Sequence, residues 1–445
     1  MKKMLLLFSL IILTGFEMFA QTISLEQART LALANSRSLA KYNLALTSTL
    51  LDERARIFTN LPSLSLGANA SMSLWNSQNA APVGNPFDTF SSGVNISVSQ
   101  KIFEGGKTLI QKAINKITSE SARKDALAEY FNVLDSADNA YYSVLEAMAV
   151  LEAEESSLQT AVTSLAIAEV RRTTGIINQG DYLKAMADKE TRENSRNQAK
   201  RNLNLNVMKL KALTGLGELP GLEQIDFAGY EELLSRLGSI SDNEADLLYG
   251  ELWKAIVSAN PSLAKAVLAS QRAENNLNMS KRNYSPSLSA SFSTGLNYSL
   301  NNGFEMSGGR VSLNLTVPVD YWVIANNVEK SKIARDSAVL DYMSAEVNLE
   351  TDLQSALINV FAYAGSVLNT TLSLAYSEKH FEFVMERYRL SQSSITDLNE
   401  ASTLLINTRN SLIKARFGFL QSLSKLRSLG AFEDEEKLIG ILAGK

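Results

Sequence analysis

The chain has 445 residues, with 43 basic and 47 acidic side chains, one histidine and no cysteine. The absence of cysteine excludes disulfide bonds and cysteine-linked lipid anchors. A formal net charge of −4 at pH 7 offers no basic excess to neutralise phosphates, so nucleic acid is not an expected partner.

The first twenty residues have the pattern of an export signal. Lys2 and Lys3 precede an apolar run, Met4 to Leu13, and Ala20 offers a cleavage point. An uncleaved membrane anchor is the alternative, although the apolar run is too short to cross a bilayer as a helix. We therefore expect an exported protein.

No later segment is expected to form a transmembrane helix. The longest uncharged window, Leu353 to Ser377, contains too many Ser, Thr, Asn and Gln side chains for contact with lipid. If the chain enters a membrane, it must do so as a closed β-barrel, because only helices and closed barrels satisfy every backbone polar group there.

Two short segments repeat the same order of apolar and polar residues. LPSLSLGAN begins at Leu61, and SPSLSASFS begins far downstream at Ser285. A later set of matches, at a constant but slightly smaller spacing, pairs Asp181 with Asp397. Two colinear sets predict a tandem duplication, with an extra loop at residues 76–89 in the first copy.

The duplication divides the chain into five predicted segments. They are a signal peptide (1–20), a first repeat (21–215), an equatorial linker (216–246), a second repeat (247–430) and a C-terminal tail (431–445). Each repeat is expected to open with a helix, about Leu25 to Phe58 in the first and Leu248 to Arg282 in the second. Pro261 marks a break or a helix start within the latter.

A strand pair follows in each repeat, over residues 62–103 and 286–319. Apolar residues alternate there with Ser, Asn and Thr, a period of two that is typical of strands. The pattern fits a transmembrane strand between lipid and a wet lumen, and a soluble sandwich strand is the alternative. Flanking aromatic residues predict interfacial belts, or else ordinary hairpin packing: Phe87, Phe90, Tyr298, Phe304, Tyr321 and Trp322.

Long helical hairpins complete the repeats, over residues 107–214 and 322–429. Apolar residues at alternating three- and four-residue spacing predict one coiled-coil seam in each hairpin. The seam residues are Leu134, Ala137, Tyr141, Val144, Met148, Leu151 and Leu158 in the first, and Leu353, Leu357, Val360, Ala364, Val367, Thr371 and Leu374 in the second. Asp181 and either Thr396 or Asp397 are the predicted N-caps of the returning helices.

Four strands per chain are too few for a barrel with a lumen, because eight is the smallest common number in membranes. Open strand edges in lipid would leave backbone groups without hydrogen bonds, so the edges must pair with other copies of the chain. A cyclic oligomer meets this demand. The residue pattern leaves two, three and four subunits open.

Several motifs resemble one known family. ERYRLSQSSITDLNEA, Glu386 to Ala401, resembles the helix-tip motif of the TolC-like outer membrane efflux proteins. LKALTG and LRSLG, which end at Gly215 and Gly430, resemble the ends of that family's returning helices. QKIFEGGK, with Gly105 and Gly106, looks like its strand-to-helix turn. The resemblance covers nearly the whole mature chain.

This resemblance implies an α+β membrane protein that works as a homotrimer. Each chain would contribute four strands to a trimeric 12-stranded transmembrane β-barrel, and its helical hairpins would form a periplasmic α-barrel. The expected function is the exit duct of a tripartite efflux or type I secretion system, which passively conducts drugs, other small molecules or proteins.

The implied partners are outer membrane lipid, a periplasmic adaptor (membrane fusion) protein and an inner-membrane pump of the RND, ABC or MFS type. The pump would supply the energy, so no enzymatic activity, cofactor or metal is expected. A non-transporting periplasmic coiled-coil scaffold is the alternative function. A scaffold, however, has no need of four alternating strands.

The resemblance also implies a gate at the periplasmic tip. Asp397 and Glu400 match positions where relatives place acidic rings, which would favour cations. Tyr388 and Asp181 match positions that latch the gate closed. Ser393 stands where the family usually has an arginine.

Without an arginine at position 393, hydrogen bonds, Arg387 or Arg389 are left to form the latch. Gly175 keeps the family's glycine at the tip of the first hairpin, and Ser391 replaces it in the second.

Two further signals are assigned no site. GGKT, Gly105 to Thr108, has Lys101 where a phosphate-binding loop needs its first glycine, so the segment is interpreted as a turn. His380 is the only histidine, which excludes a multi-histidine metal site within one chain.

Overall fold

A computed structural model of the chain describes residues 22–55, 58, 61–72, 89–299 and 303–444. The predicted signal peptide, the extra loop up to residue 88, and Phe87 lie outside the described residues. The structure divides into two compact units, each of which takes segments from both predicted repeats, so the repeat boundaries stay a prediction. The first unit comprises residues 22–40, 128–260 and 349–444, and the second comprises 41–127 and 261–348.

Both halves follow the predicted order of a helical segment, two strands and a helical hairpin. The first half contains α1 (Leu25–Asn35), α2 (Arg37–Ala55), β1 (Ser63–Ser71), β2 (Ser91–Phe103), α3 (Lys107–Thr173) and α4 (Gln179–Thr214). The second contains α6 (Asp242–Ala259), α7 (Pro261–Lys281), β3 (Ser287–Ser299), β4 (Gly303–Thr316), α8 (Tyr321–Arg389) and α9 (Ile395–Gly430). The short helix α5 (Glu231–Gly238) lies in the linker, and α10 (Glu435–Ala443) lies in the tail.

The opening helix of each half is broken at the same place. Helix α7 begins at Pro261, as predicted. A single helix to Phe58 is wrong for the first half, because Ser36 separates α1 from α2, and α2 begins at Arg37, the repeat counterpart of Pro261. The Ser36 hydroxyl accepts a hydrogen bond of 3.1 Å from the Leu39 backbone, and so offers the chain an alternative to a continuous helix.

The four strands form one antiparallel sheet in the order β1-β2-β3-β4. Leu64 faces Val98 across the first pair, and Leu288 faces Leu315 across the last. The apolar side is exposed in the single chain, with Leu64 at 74% and Met306 at 81%. The predicted period of two is therefore confirmed in the strands.

Aromatic residues lie at both ends of this sheet. The rings of Tyr298 and Phe304, near the β3–β4 turn, have centroids 4.8 Å apart. Tyr284 and Tyr321, beside the opposite end, stack at 6.0 Å. Trp322 is 74% exposed. The assignment of these rings to interfacial belts stays a prediction.

The predicted helical seam is correct over part of its length. Leu134, Ala137, Tyr141 and Val144 are at most 5% exposed, and so are Leu353, Leu357, Val360, Ala364 and Val367. The seam prediction fails at Met148, which is 40% exposed, and at Thr371, which is exposed. The buried positions further along α3 are small or polar instead: Ala147, Glu154, Ser157, Ala161, Ser164 and Ala168.

The burial of Glu154 has a specific cause. The Asn410 amide of α9 donates a 2.8 Å hydrogen bond to the Glu154 carboxylate. A polar group can be buried at low cost when such a bond replaces its contacts with water. A search for apolar residues alone therefore misplaces the seam.

A group of four charged side chains, which we call the Asp138 cluster, ties α10 to the rest of the first unit. Arg29 donates to both carboxylate oxygens of Asp138, at 2.5 and 2.8 Å, and to Glu435 at 3.2 Å. Arg427 lies 3.4 Å from the same Asp138 carboxylate. Asp138 is 1% exposed, and Arg29 and Arg427 are 5% and 8% exposed. Buried charges of this kind depend on one another, because each needs its partners to offset desolvation.

One helix among the described residues passes a length and hydropathy test for a membrane span. Helix α8 contains an 18-residue window of mean hydropathy 1.3, of which 22% is buried. By this measure the expectation that no helix is apolar enough does not hold. The test alone does not establish a span, because a helix that packs against other helices can also pass it.

Candidate functional site at the hairpin ends

The turn that joins α3 to α4 and the turn that joins α8 to α9 have the same backbone geometry. Gly175 has φ +76° and its repeat counterpart Ser391 has φ +63°, so both are left-handed. In both turns the next residue donates its backbone N–H, over 2.8 Å, to the carbonyl five residues before it. These bonds satisfy carbonyl groups at the helix end that have no partner within the helix.

The two returning helices also begin at equivalent positions. Asn178 caps α4 and Ser394 caps α9, and each side chain accepts the backbone N–H three residues later. The predicted N-caps, Asp181 and either Thr396 or Asp397, are wrong. Because a capping side chain bonds to the third residue of the helix, the cap must precede Asp181 and Asp397 by three positions.

Asp397 is the acceptor in a reciprocal capping pair. Its exposed carboxylate accepts hydrogen bonds of 3.0 Å from the Ser394 backbone and from the Ser393 hydroxyl. The Ser394 backbone bond, and then the two serine side chains, hold the pKa of Asp397 below its ordinary value. Glu400 is exposed one turn further along α9. The end of the second hairpin therefore presents a stable negative charge.

Tyr388 lies at the end of α8 and is 1% exposed. The Arg171 guanidinium of α3 lies 4.4 Å from the centre of its ring and donates to its backbone carbonyl. Burial raises the pKa of the Tyr388 hydroxyl, the Arg171 charge opposes this, and Asp181 adds to it. That hydroxyl has no hydrogen-bond partner among the described residues. Arg171 thus holds the two hairpins together at their ends.

Apolar residues from all four helices surround this contact. They are Ala168, Ala185, Val384, Tyr388, Ile395, Leu398 and Ala401. Hydrophobic burial of this kind excludes water, and it strengthens the attraction between a cation and an aromatic ring.

The residues proposed from the sequence come together only in part. Ser393 binds Asp397 and contacts neither Tyr388 nor Asp181 by hydrogen bond. Asp181 lies 3.7 Å from Lys184, which in turn donates to the Thr396 hydroxyl at 3.2 Å. Lys184 therefore makes a second polar link between the hairpins.

Gly105 and Gly106 lie in the other unit, in the turn between β2 and α3, with φ +63° and +78°. A Cβ at Gly105 would come within 2.3 Å of the Ser285 side chain, so a larger residue would not fit there.

Arg171 was not identified from the sequence. Among the described residues, the polar and cation–π contacts of the two alternatives, Arg387 and Arg389, lie within the second hairpin. Arg387 donates to the Gln392 carbonyl at 3.0 Å, and Arg389 lies 3.8 Å from Glu386. The sequence did contain a signal for Arg171. It follows Ser164 and Ala168 at four- and three-residue spacing, which places it on the same buried side of α3.

Comparison with known proteins gives consistent matches. The sequence model of the outer membrane efflux protein family matches residues 28–216 and 252–430. Outer membrane protein TolC of Escherichia coli (strain K12) is 22% identical over 462 residues, which covers 98% of this chain and 88% of that protein. TolC of Salmonella enteritidis is also 22% identical, over 459 residues, with the same coverage.

Solved structures with the same fold include two outer-membrane channels. The Campylobacter jejuni CmeC outer membrane channel has a TM-score of 0.75 at 18% identity, covering 94% of this chain and 89% of that chain. CusC, which has been studied for its folding and transmembrane channel formation, has a TM-score of 0.77 at 17% identity. The match covers 95% of this chain and 95% of that chain. The architecture described above is therefore shared across low sequence identity.

Proposed function

The chain belongs to the outer membrane efflux protein family, and on this premise we propose that it is the outer-membrane exit duct of a tripartite efflux or type I secretion system. The family is one of outer-membrane channels, not of enzymes. The duct would passively conduct small molecules or proteins delivered from an inner-membrane pump through a periplasmic adaptor protein.

The observation that carries this proposal is the two-sided sheet. One side presents exposed apolar residues such as Leu64, Met306 and Val311, and the opposite side is mostly Ser, Asn and Gly. A sheet with this alternation suits a boundary between lipid and water. In the described strands, β1 and β4 each pair on one side only. Three copies joined at these edges would give the twelve strands of a homotrimeric barrel.

We propose further that the hairpin ends form a periplasmic gate. Asp397 and Glu400 of three chains would place acidic groups around one narrow opening, which favours cations. The contact of Arg171 with Tyr388 would hold the gate closed in place of the arginine absent from position 393. Asp181 would act on the latch through Lys184 and Thr396.

Single-channel conductance in planar bilayers tests the duct. Purified protein is expected to run as a heat-resistant trimer, to fractionate with outer membranes and to conduct ions. A soluble periplasmic monomer without conductance would instead support the scaffold function.

A second measurement tests the gate. Replacing Asp397 and Glu400 together by alanine should reduce the preference for cations, with Glu382→Ala, an exposed carboxylate elsewhere on the second hairpin, as the control. Unchanged selectivity in a conducting double variant would remove both residues from the gate.

A further inference from the structure

The polar side of the sheet is almost free of charge. Odd-numbered residues of β1, of β2 up to Ser99, and of β3 share this side and are Ser, Asn or Gly. Serine hydroxyls bond across the strands, at 2.6 Å between Ser65 and Ser97. A few charged residues on this side would therefore dominate its electrostatic potential.

Three charged residues occupy the polar side among the described strands. Two of them are on β4, where Glu305 pairs with Asn297 of β3 and Arg310 pairs with Ser293 of β3. Lys101 of β2 lies near the opposite end and is paired with Glu104 at 2.7 Å. No ion pair joins Arg310 to an acid within the part of the chain that the structure describes.

A β-bulge places Arg310 on this side. Gly295 pairs with Ser307 and Ser293 pairs with Arg310, so β4 uses one residue more than β3 over the same distance. If Gly308 and Gly309 each took a regular strand position, with no bulge, Arg310 would fall on the apolar side beside residues such as Met306. Bulges are known to redirect a side chain in this way.

Side-chain bonds hold the bulge in place. The Thr294 hydroxyl donates to the Ser307 carbonyl at 3.2 Å, and the Ser307 hydroxyl donates to the Gly295 carbonyl at 2.9 Å. A Cβ at Gly309 would come within 3.0 Å of the Phe292 ring. A glycine at position 309 therefore avoids crowding against that ring.

We propose that Arg310 determines charge selectivity in the sheet region of the duct, where it attracts small anionic permeants and opposes cations. The inference rests on the proposed function. In a trimer, three copies would lie at one level of an otherwise nearly neutral wall. Glu305 opposes this effect from the level nearer the β3–β4 turn. The selectivity is electrostatic, and added salt should therefore weaken it.

Reversal potentials across a KCl gradient test the proposal. Arg310→Gln should raise the cation-to-anion permeability ratio relative to the native channel, and Arg310→Glu should raise it further. Glu305→Gln should lower the ratio. Lys101→Gln combined with Glu104→Gln, which removes both members of the ion pair and leaves the net charge unchanged, should change the ratio less than Arg310→Gln. The Debye length is about 10 Å at 0.1 M salt and about 3 Å at 1 M, so the differences should shrink at high salt.

Cysteine labelling provides an independent readout, since the native chain has no cysteine. In assembled trimers, Arg310→Cys should react with a charged, membrane-impermeant thiol reagent, and Val311→Cys on the apolar side should not.

The outcomes separate the two proposals. A native channel that conducts, together with unchanged permeability ratios in both Arg310 variants, overturns the role of Arg310. Unreactive Arg310→Cys overturns its placement on the water side. A native protein that does not conduct contradicts the proposed function itself, and the labelling result still decides where Arg310 lies.

Discussion

The two hairpins have the same turn geometry but use different residues to form it. The first hairpin has glycine at both left-handed positions, Gly175 in its turn and Gly215 at the end of α4. At the equivalent positions of the second repeat stand Ser391 and Ala431, with φ +63° and +48°. A left-handed conformation costs a residue with a Cβ about 1–2 kcal/mol. The second hairpin must therefore be held by other contacts.

Those other contacts are visible at each strained position. Beyond Ser391, α9 begins with a reciprocal capping box between Ser394 and Asp397, which α4 lacks. Beyond Ala431, the Phe432 carbonyl accepts from Arg427, a member of the Asp138 cluster. The comparison shows that a repeated fold needs the same backbone path, and that tertiary contacts can replace a favourable local residue.

The interior of the hairpins differs in the same manner. Gly418 of α9 lies against Tyr363, so that a Cβ there would come within 2.5 Å of the ring. The first hairpin has Asn202 and Ala147 at the equivalent positions, and both line an open groove of about 760 Å³. In the second hairpin the Tyr363 ring fills the space beside Gly418, whereas the equivalent space in the first hairpin is an open groove.

The largest expected effect comes from breaking the Asp138 cluster, which has no counterpart in the second hairpin. Asp138→Ala would leave the buried Arg29 and Arg427 with only the partly exposed Glu435 as a carboxylate partner, which should cost about 3–5 kcal/mol of unfolding free energy. The control is Gln354→Ala, at the equivalent position of α8, where the side chain is exposed. It should change stability by less than about 0.5 kcal/mol. Equal denaturation midpoints for the two variants would contradict the buried cluster.

The next effect concerns the contact between hairpins. Arg171→Ala should lower the unfolding free energy by about 2 kcal/mol, because a desolvated cation–π contact and a carbonyl hydrogen bond are lost. The same variant should increase the open probability of single channels. Arg387 is the repeat counterpart of Arg171, and its exposed guanidinium lies 5.6 Å from the centre of the Phe383 ring. Arg387→Ala should therefore have little effect on either quantity. Identical behaviour of the two variants would exclude Arg171 as the link.

The glycine difference can be reversed by exchanging residues. Ser391→Gly should raise stability by about 1 kcal/mol, because the left-handed strain is removed. Gly175→Ala should lower it by a similar amount, since no atom lies within 4 Å of the added Cβ and only the backbone cost remains. Thermal unfolding of both variants in detergent provides the measurement. A destabilised Ser391→Gly variant would show that the serine side chain itself stabilises the turn.

The smallest effect is a pH dependence at the capping box. Hydrogen bonds from Ser394 and Ser393 lower the pKa of Asp397 in the folded state. The ionised carboxylate therefore stabilises the fold at pH values above its unfolded-state pKa, and this stabilisation is lost as the pH falls through its folded-state pKa. Asp397→Asn should remove this loss of stability below about pH 4. Asp181→Asn, in the hairpin without a capping box, serves as the control for thermal midpoints followed between pH 6 and 3.

Much of the architecture could be predicted because it depends on spacing along the chain. The alternation around Leu64 predicted the strands, and the three- and four-residue spacing around Ala137 predicted the seam. Errors appeared where the partner is distant in sequence. The N-caps were misplaced by two or three residues, and a search for apolar residues missed Glu154, whose burial depends on its hydrogen bond with Asn410.

The candidate site was predicted less completely than the fold. The sequence pointed to the hairpin ends, but it assigned the latch to Tyr388 and Asp181, with Arg387 or Arg389 as the candidate arginine. Only packing between α3 and α8 places Arg171 over Tyr388. The sequence correctly placed the end of α9 at Gly430, but only the structure shows that the left-handed residue after it is Ala431.

The amino-acid order alone determined the duplication, the two-residue period of the strands and the heptad spacing of the long helices. These features follow from the direction in which successive side chains point on one helix or strand. Tertiary structure alone decided which arginine meets Tyr388, which carboxylates are buried, and on which side of the sheet Arg310 lies. Each of these depends on atoms from separate segments meeting at about 3–4 Å, and no local pattern specifies such a meeting.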